Sequence, residues 1–441
     1  MKFSKATLPY ADAFRYSKQT RQLAGWLALI RGHLSAGEVI RSLHLARAMA
    51  YADGNDLRSS VLDALKKRPG FENAQVWRDA LHLQPRLHEL VLKDPSISRS
   101  IVLKAPGEGG EKGVLLMTFE YNWVRLLLTL SEEETRWLNE NYDIVLSTSW
   151  SPTDYAALAL AVSSLRGTVF VQSCNYDEIA KIEAFHPRLK CLETLPCDWI
   201  NPQLYAPKPP EERQTDIVMV ANWGEFKRHW DLFRALSKMP PNLKVVLIGQ
   251  REPGRSRDDI RRLATTFGVS QQIDIFESLP IAEVARHQCD AKVSVIMSRR
   301  EGCCVAAVES LFAGCALAMR EDAHVGPLAY INDQTGRRLR PNHLHEDLSA
   351  LLEQSSNLRP HHWAAAHLTC ELSRAKLNSL LKAEAKKTCR PWTCDIAQPQ
   401  WRPHPTFASE NEREALRPAY TELHRRFPKV FSEALIMESW R

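Results

Sequence analysis

Hydrophobic spacing along this chain changes in blocks, and each block predicts different elements. Over residues 1–98 apolar side chains recur at helical intervals: Leu27, Ile30 and Leu34, then Val39 and Leu43, then Leu83, Leu87 and Leu90. Breakers near Gly54 and at Pro69-Gly70 divide the region into separate helices, and no fixed repeat period runs through it. A helical cap or extension is the preferred reading, with a helix lying on a membrane as its rival.

From Ser100 the texture becomes alternating. Strands are predicted at 101–105, 114–120, 143–148 and 168–173, with helices at 132–139 and 155–165 between the later ones. That alternation predicts a mostly parallel sheet. Gly107 to Gly113, between the first two strands, fits a loop beside a ligand or a hairpin turn, and the spacing favours the hairpin. Proline concentrates over 201–214 and interrupts the periodicity, as a linker would. A second block follows, with strands at 216–221, 244–248, 272–276, 292–297 and 315–319. Its helices fall at 230–238, 257–267, 281–288 and 305–313. This rhythm predicts a doubly wound domain whose ligand crevice lies at the C-terminal strand ends. Beyond Arg340 the pattern is helical, at 344–354 and 363–387. An irregular Pro/Trp-rich stretch over 390–405 and two short helices then close the chain.

Composition changes this picture little. The 441 residues suffice for two or three cores, and 44% hydrophobic with 25% charged residues argues against disorder. A net charge of +6 is too mild for a dedicated nucleic-acid binder and suits an anionic substrate or an acidic membrane surface. Ten cysteines without a framework pattern suggest reduced thiols in a cytoplasm. The N-terminus lacks a signal-peptide core, and no apolar stretch is long enough for a span. The expectation is a cytoplasmic protein, with peripheral contact at the inner face of a membrane allowed.

Candidate chemistry concentrates in Arg299–Gly314. Glu301 precedes a run of small residues and Glu309 lies inside it, while Val305, Val308, Leu311 and Phe312 keep helical spacing. A strand, a tight turn at Gly302 and a helix ended by Gly314 make a phosphate-binding corner, because a helix N-terminus offers free N–H groups and partial positive charge. Glu309 among apolar neighbours needs a partner, which a structural arginine could supply as well as a ligand. Lys227 and Arg228, seen alone, read as solvated cations at a helix start. His361, His362, His367, Cys370, Cys389 and Cys394 match no zinc pattern well, so no metal site is expected.

Five pieces in order over residues 216–340 resemble the nucleotide-sugar-binding domain of retaining GT-B glycosyltransferases of the family 4 type. They are Val218-Met-Val-Ala-Asn-Trp-Gly-Glu-Phe-Lys-Arg, Val246-Leu-Ile-Gly-Gln, Ile273-Asp-Ile-Phe-Glu-Ser-Leu-Pro, Ser298 to Glu309, and Thr335-Gly-Arg-Arg-Leu. Tyr142-Asp-Ile-Val-Leu-Ser and Cys197-Asp-Trp-Ile-Asn-Pro extend the resemblance into the N-terminal half more weakly. It implies an α/β, GT-B-like fold of two Rossmann-like doubly wound domains with an N-terminal helical extension and C-terminal helices. The divisions would be 1–98, 99–205 (acceptor), 206–358 (donor) and 359–441.

The implied reaction moves a sugar, with retention, from a nucleoside-diphosphate sugar to a glycan, lipid-linked or protein acceptor, without a metal or other cofactor. Lys227 and Arg228 would contact the phosphates, helped by N–H groups of Gly302, Cys303, Cys304 and Val305. Glu309 would take the ribose hydroxyls, Glu301 the hydroxyls of the transferred sugar, and the Phe276 segment would face the base. Catalysis would rest on Glu301 and Lys227. Three departures stand out: Asn222 where many relatives carry an arginine, Cys303-Cys304 after the Glu-Gly pair, and Gln172 or Ser173 in place of the usual histidine. They keep two alternatives in view, a non-catalytic GT-B-like module and a GT-B epimerase or phosphorylase.

Overall fold

The computed structural model describes residues 7–84, 100–401 and 405–431. Leu87 and Leu90 of the early helical pattern, and residues 402–404 of the Pro/Trp-rich stretch, lie outside them. The chain forms two compact units. One comprises Cys197–Ser373 with short stretches from elsewhere, and the other comprises Pro9–Pro196 with Arg374–Gln400 and the later C-terminal residues.

The first unit, in chain order, begins with helices α1 (Leu8–Tyr16), α2 (Lys18–Leu34), α3 (Glu38–Ala50), α4 (Asn55–Lys66) and α5 (Ala74–His82). Its sheet runs β1 (Ser100–Lys104), β2 (Gly113–Thr118), β3 (Tyr142–Ser147), β4 (Val169–Gln172) and β5 (Leu189–Cys191), ordered as numbered. β1 and β2 pair antiparallel and the rest are parallel. Gly107–Gly113 is therefore the turn of a hairpin, with Gly109 and Gly110 at positive φ. Helices α6 (Glu120–Thr129), α7 (Glu132–Asn141), α8 (Tyr155–Ser164) and α9 (Tyr176–Phe185) connect the strands. α8 is apolar nearly all round because it is enclosed, with α3 and α5 packed on it.

Two of these helices, α6 and α9, were not predicted. In α6 seven of ten residues are buried, including Glu120, Asn122 and Arg125, so no polar face marks the helical period. The strand expected to reach Glu120 stops at Thr118, because Phe119 takes φ 65° and starts α6.

The second unit holds six parallel strands: β6 (Thr215–Val220), β7 (Lys244–Gly249), β8 (Gln272–Glu277), β9 (Ala291–Ile296), β10 (Ala316–Arg320) and β11 (Gly336–Leu339). Their order is β11-β10-β9-β6-β7-β8, the doubly wound arrangement in which chain direction across the sheet reverses between β6 and β9. Connecting helices are α10 (His229–Leu236), α11 (Arg257–Thr266), α12 (Ile281–Cys289), α13 (Val305–Phe312) and α14 (Leu344–Gln354). β11 occupies the Thr335-Gly-Arg-Arg-Leu piece, for which no strand was predicted. The single helix expected over 363–387 breaks after His367, giving α15 (Pro360–His367) and α16 (Cys370–Lys387). A 17-residue helix, α17 (Glu410–Arg426), stands where two short ones were expected. Among the described residues no helix is long and apolar enough to cross a membrane.

Candidate active site

In a doubly wound sheet the loops after the two strands flanking the reversal part in opposite directions and leave a crevice. Here those loops are 221–228, after β6, and 297–304, after β9. The first is pinned from behind. Ala221 N–H donates to Ile248 O (2.9 Å), Trp223 N–H to Gln250 O (3.0 Å), and Trp223 Nε1 to Glu277 Oε2 (2.7 Å). Asn222 folds the loop tip, accepting from Gly224 N–H and donating to Glu252 Oε1. A Cβ on Gly249 would lie 2.3 Å from the Ala221 carbonyl oxygen, so the close approach of these loops requires glycine there.

From the tip of this loop Lys227 reaches across the reversal, and its Nζ donates to Glu301 Oε1, joining the two loops. Burial works against the Lys227 charge, but Glu301, Cys304 and Glu252 outweigh it and raise its pKa. The second oxygen of Glu301, Oε2, is buried with no hydrogen-bond partner among the described residues, as are Ser298 Oγ and both ring nitrogens of His229. Burial beside Arg255 and Lys227 pushes His229 down to about 3, so its ring is neutral, edge-on to Trp223. Buried polar atoms without partners are costly, and a cluster of them beside a crevice fits a hydroxyl-rich ligand.

α13 starts directly beyond, at Val305, with Cys304 at its N-cap. The Cys304 side chain makes no capping hydrogen bond, and in the first turn Ala307 N–H donates to Cys304 O at 3.0 Å. Glu309, a turn further along, is half-buried; burial pushes it up to about 7 against a hydrogen bond from Tyr205 of the proline-rich linker. The partner its apolar setting demanded is thus a tyrosine. Gly314, at φ 78°, ends the helix as its position predicted. Cys303 Sγ lies 3.4 Å from Cys197 Sγ, with no disulfide between them.

Arg228 is placed differently from Lys227. It takes a left-handed backbone (φ 58°, ψ 41°) and turns its guanidinium to Asp231 at 2.9 Å. Asp231 is fully buried; burial opposes its ionisation, and Arg228, Arg320 and Arg234 overcome it and hold the carboxyl low. Arg320 and Arg299 both pair with Asp322. Four guanidinium groups thus converge on two carboxylates. Phe276 lies apart on edge strand β8, its ring 4.8 Å from that of His287. His229, Ser298 and the Asp231 cluster were not identified from sequence. The adjacency of His229 to Lys227-Arg228 was the one available signal.

Residues 203–365 match the family of glycosyl transferases group 1. No curated protein sequence matches the chain. Among solved structures, the sucrose-phosphate synthase of Thermosynechococcus elongatus is 15% identical, over 73% of this chain and 80% of its own, with a TM-score of 0.49. The pneumococcal O-GlcNAc transferase GtfA, solved with UDP and GlcNAc, is 12% identical over 57% of this chain and 54% of its own, with a TM-score of 0.44. The Anabaena protein HepE, solved with UDP and glucose, is 13% identical over 57% and 80%, with a TM-score of 0.42. The chain spans about half the length of the pneumococcal enzyme. Likeness at this level carries no argument about substrates. The family match falls on the sheet that holds Lys227, Glu301 and Glu309, so residues 203–365, just over a third of the chain, are similar to a glycosyl transferases group 1 domain.

Proposed function

We propose that this protein is a glycosyltransferase that moves a sugar, with retention of configuration, from a nucleoside-diphosphate donor to a glycan, lipid-linked or protein acceptor. The observation that carries the reading is the meeting of Lys227 and Glu301 across the strand reversal, beside the uncapped start of α13.

In this reading the leaving diphosphate develops negative charge as the glycosidic bond lengthens. The Lys227 ammonium and the N–H groups at Gly302 to Val305 meet that charge, with no metal required. The Arg228–Arg320–Arg299 cluster adds positive potential around it, and Asn222 shapes the loop. Glu301, paired with Lys227 through Oε1, accepts sugar hydroxyls at Oε2. Glu309 accepts the ribose hydroxyls, and Phe276 marks the segment facing the base.

Calorimetric titration with nucleoside diphosphates tests this. Lys227→Ala and Glu309→Ala should fold yet lose donor binding, and Lys227→Ala should lose about 2–4 kcal/mol of transition-state stabilisation. Unchanged affinity in both variants would refute the assignment.

A further inference from the structure

α2 is built inside out. Its buried face consists of Arg21, Gly25, Ala28, Leu29 and Gly32, mostly small residues that let α3 approach closely. A Cβ on Gly25 would fall 2.5 Å from the Leu57 side chain, and one on Gly32 would fall 2.8 Å from that of Leu45. The large apolar residues point the other way: Leu23, Trp26, Leu27, Ile30 and Leu34 are 60%, 41%, 46%, 50% and 80% exposed. Spaced three, one, three and four residues apart, they form a single stripe along the helix. Tyr10 and Phe14, one turn apart on α1, are also exposed. Monomeric soluble proteins rarely leave a contiguous apolar strip of this kind uncovered.

We propose that this outward face of α2 docks the protein on an anionic lipid surface. The charge around the stripe selects the occupant. α2 has no acidic residue in its 17 positions, while Lys18, Arg31 and His33 are exposed beside the stripe and Arg15 is exposed just before it. Asp53 pairs with Arg21 on the packed face of α2 at 2.9 Å, away from the stripe, Asp12 lies on α1, and Glu38 is tied to Arg41 at the start of α3. An apolar face with a Trp, flanked by cations and free of acids, is the pattern of a helix lying in a membrane interface. The helix is too short and its other face too committed to α3 for it to span. The docking does not depend on the catalytic reading.

Sedimentation with vesicles of phosphatidylcholine containing phosphatidylglycerol, at physiological salt, provides the test. The full chain should bind these vesicles at least tenfold more tightly than pure phosphatidylcholine vesicles, and binding should weaken as salt rises. Leu27→Glu combined with Ile30→Glu should abolish binding and leave the melting temperature and nucleoside-diphosphate affinity unchanged. Arg31→Glu, which keeps the stripe, should weaken it several-fold. Equal vesicle binding by the double variant overturns the proposal. So does a dimer in solution that the double variant converts to monomer with no vesicle binding by either form.

Discussion

Glu309 is held neutral to a higher pH in the fold than in the unfolded chain, because burial pushes it up to about 7. The sign follows from linkage: a carboxyl with raised native pKa costs stability as pH climbs from its ordinary value near 4.5 through 7. Glu309→Gln should therefore be more stable than the native chain by about 2–3 kcal/mol near pH 8 and indistinguishable near pH 4, read by denaturant unfolding. A constant difference across pH would mean that Glu309 titrates normally. The resemblance singled out Lys227, Glu301 and Glu309, and the fold brings Lys227 and Glu301 together across the strand reversal. The setting of Arg228 was not legible in the sequence. It depends on Asp231 being shared with Arg320, 89 residues away, a pairing no local pattern carries.

At the scale of elements, the loop that presents Lys227 is only as well placed as the strand behind it. Gly249→Ala would drive a methyl group into the Ala221 carbonyl and the Trp223 ring. It should cost about 1–3 kcal/mol in thermal or denaturant unfolding and weaken nucleotide binding together with stability. Unaltered stability would show that the loops can separate freely. Nearly every strand of both sheets was legible, since buried parallel strands read as short β-branched runs. β5, with three residues, was too short to register, and β11, Gly-Arg-Arg-Leu, carries no apolar run. The helical period of α2 was legible and its orientation was not. Leu27, Ile30 and Leu34 have the spacing of a core face, and only the glycines on the opposite side reveal which face is packed.

For the molecule as a whole, the two units should answer differently to ligand. Saturating nucleoside diphosphate at about a hundred times its dissociation constant should stabilise the second unit by about 2.7 kcal/mol. Scanning calorimetry should show the ligand moving the same transition that Gly249→Ala moves. Glu111→Ala acts in the first unit, where the Glu111 carboxylate is buried with Lys104 and accepts from Thr393 N–H and Oγ1 at 2.7 Å each. It strands a buried ammonium and should cost about 3–5 kcal/mol in a transition that nucleotide leaves unmoved. If nucleotide shifted both transitions equally, the ligand would not be confined to residues 197–373.

The Thr393 contact, with the Val102 N–H donated to Tyr420 Oη at 2.8 Å, also fixes an order of assembly. Strands β1 and β2 leave the ribosome early, yet the side chains that close over them are translated some three hundred residues later. The six-stranded parallel sheet has all its strands once residue 339 has emerged. During synthesis the second unit can therefore mature first, while the earlier-made sheet waits incomplete for the chain to return to it.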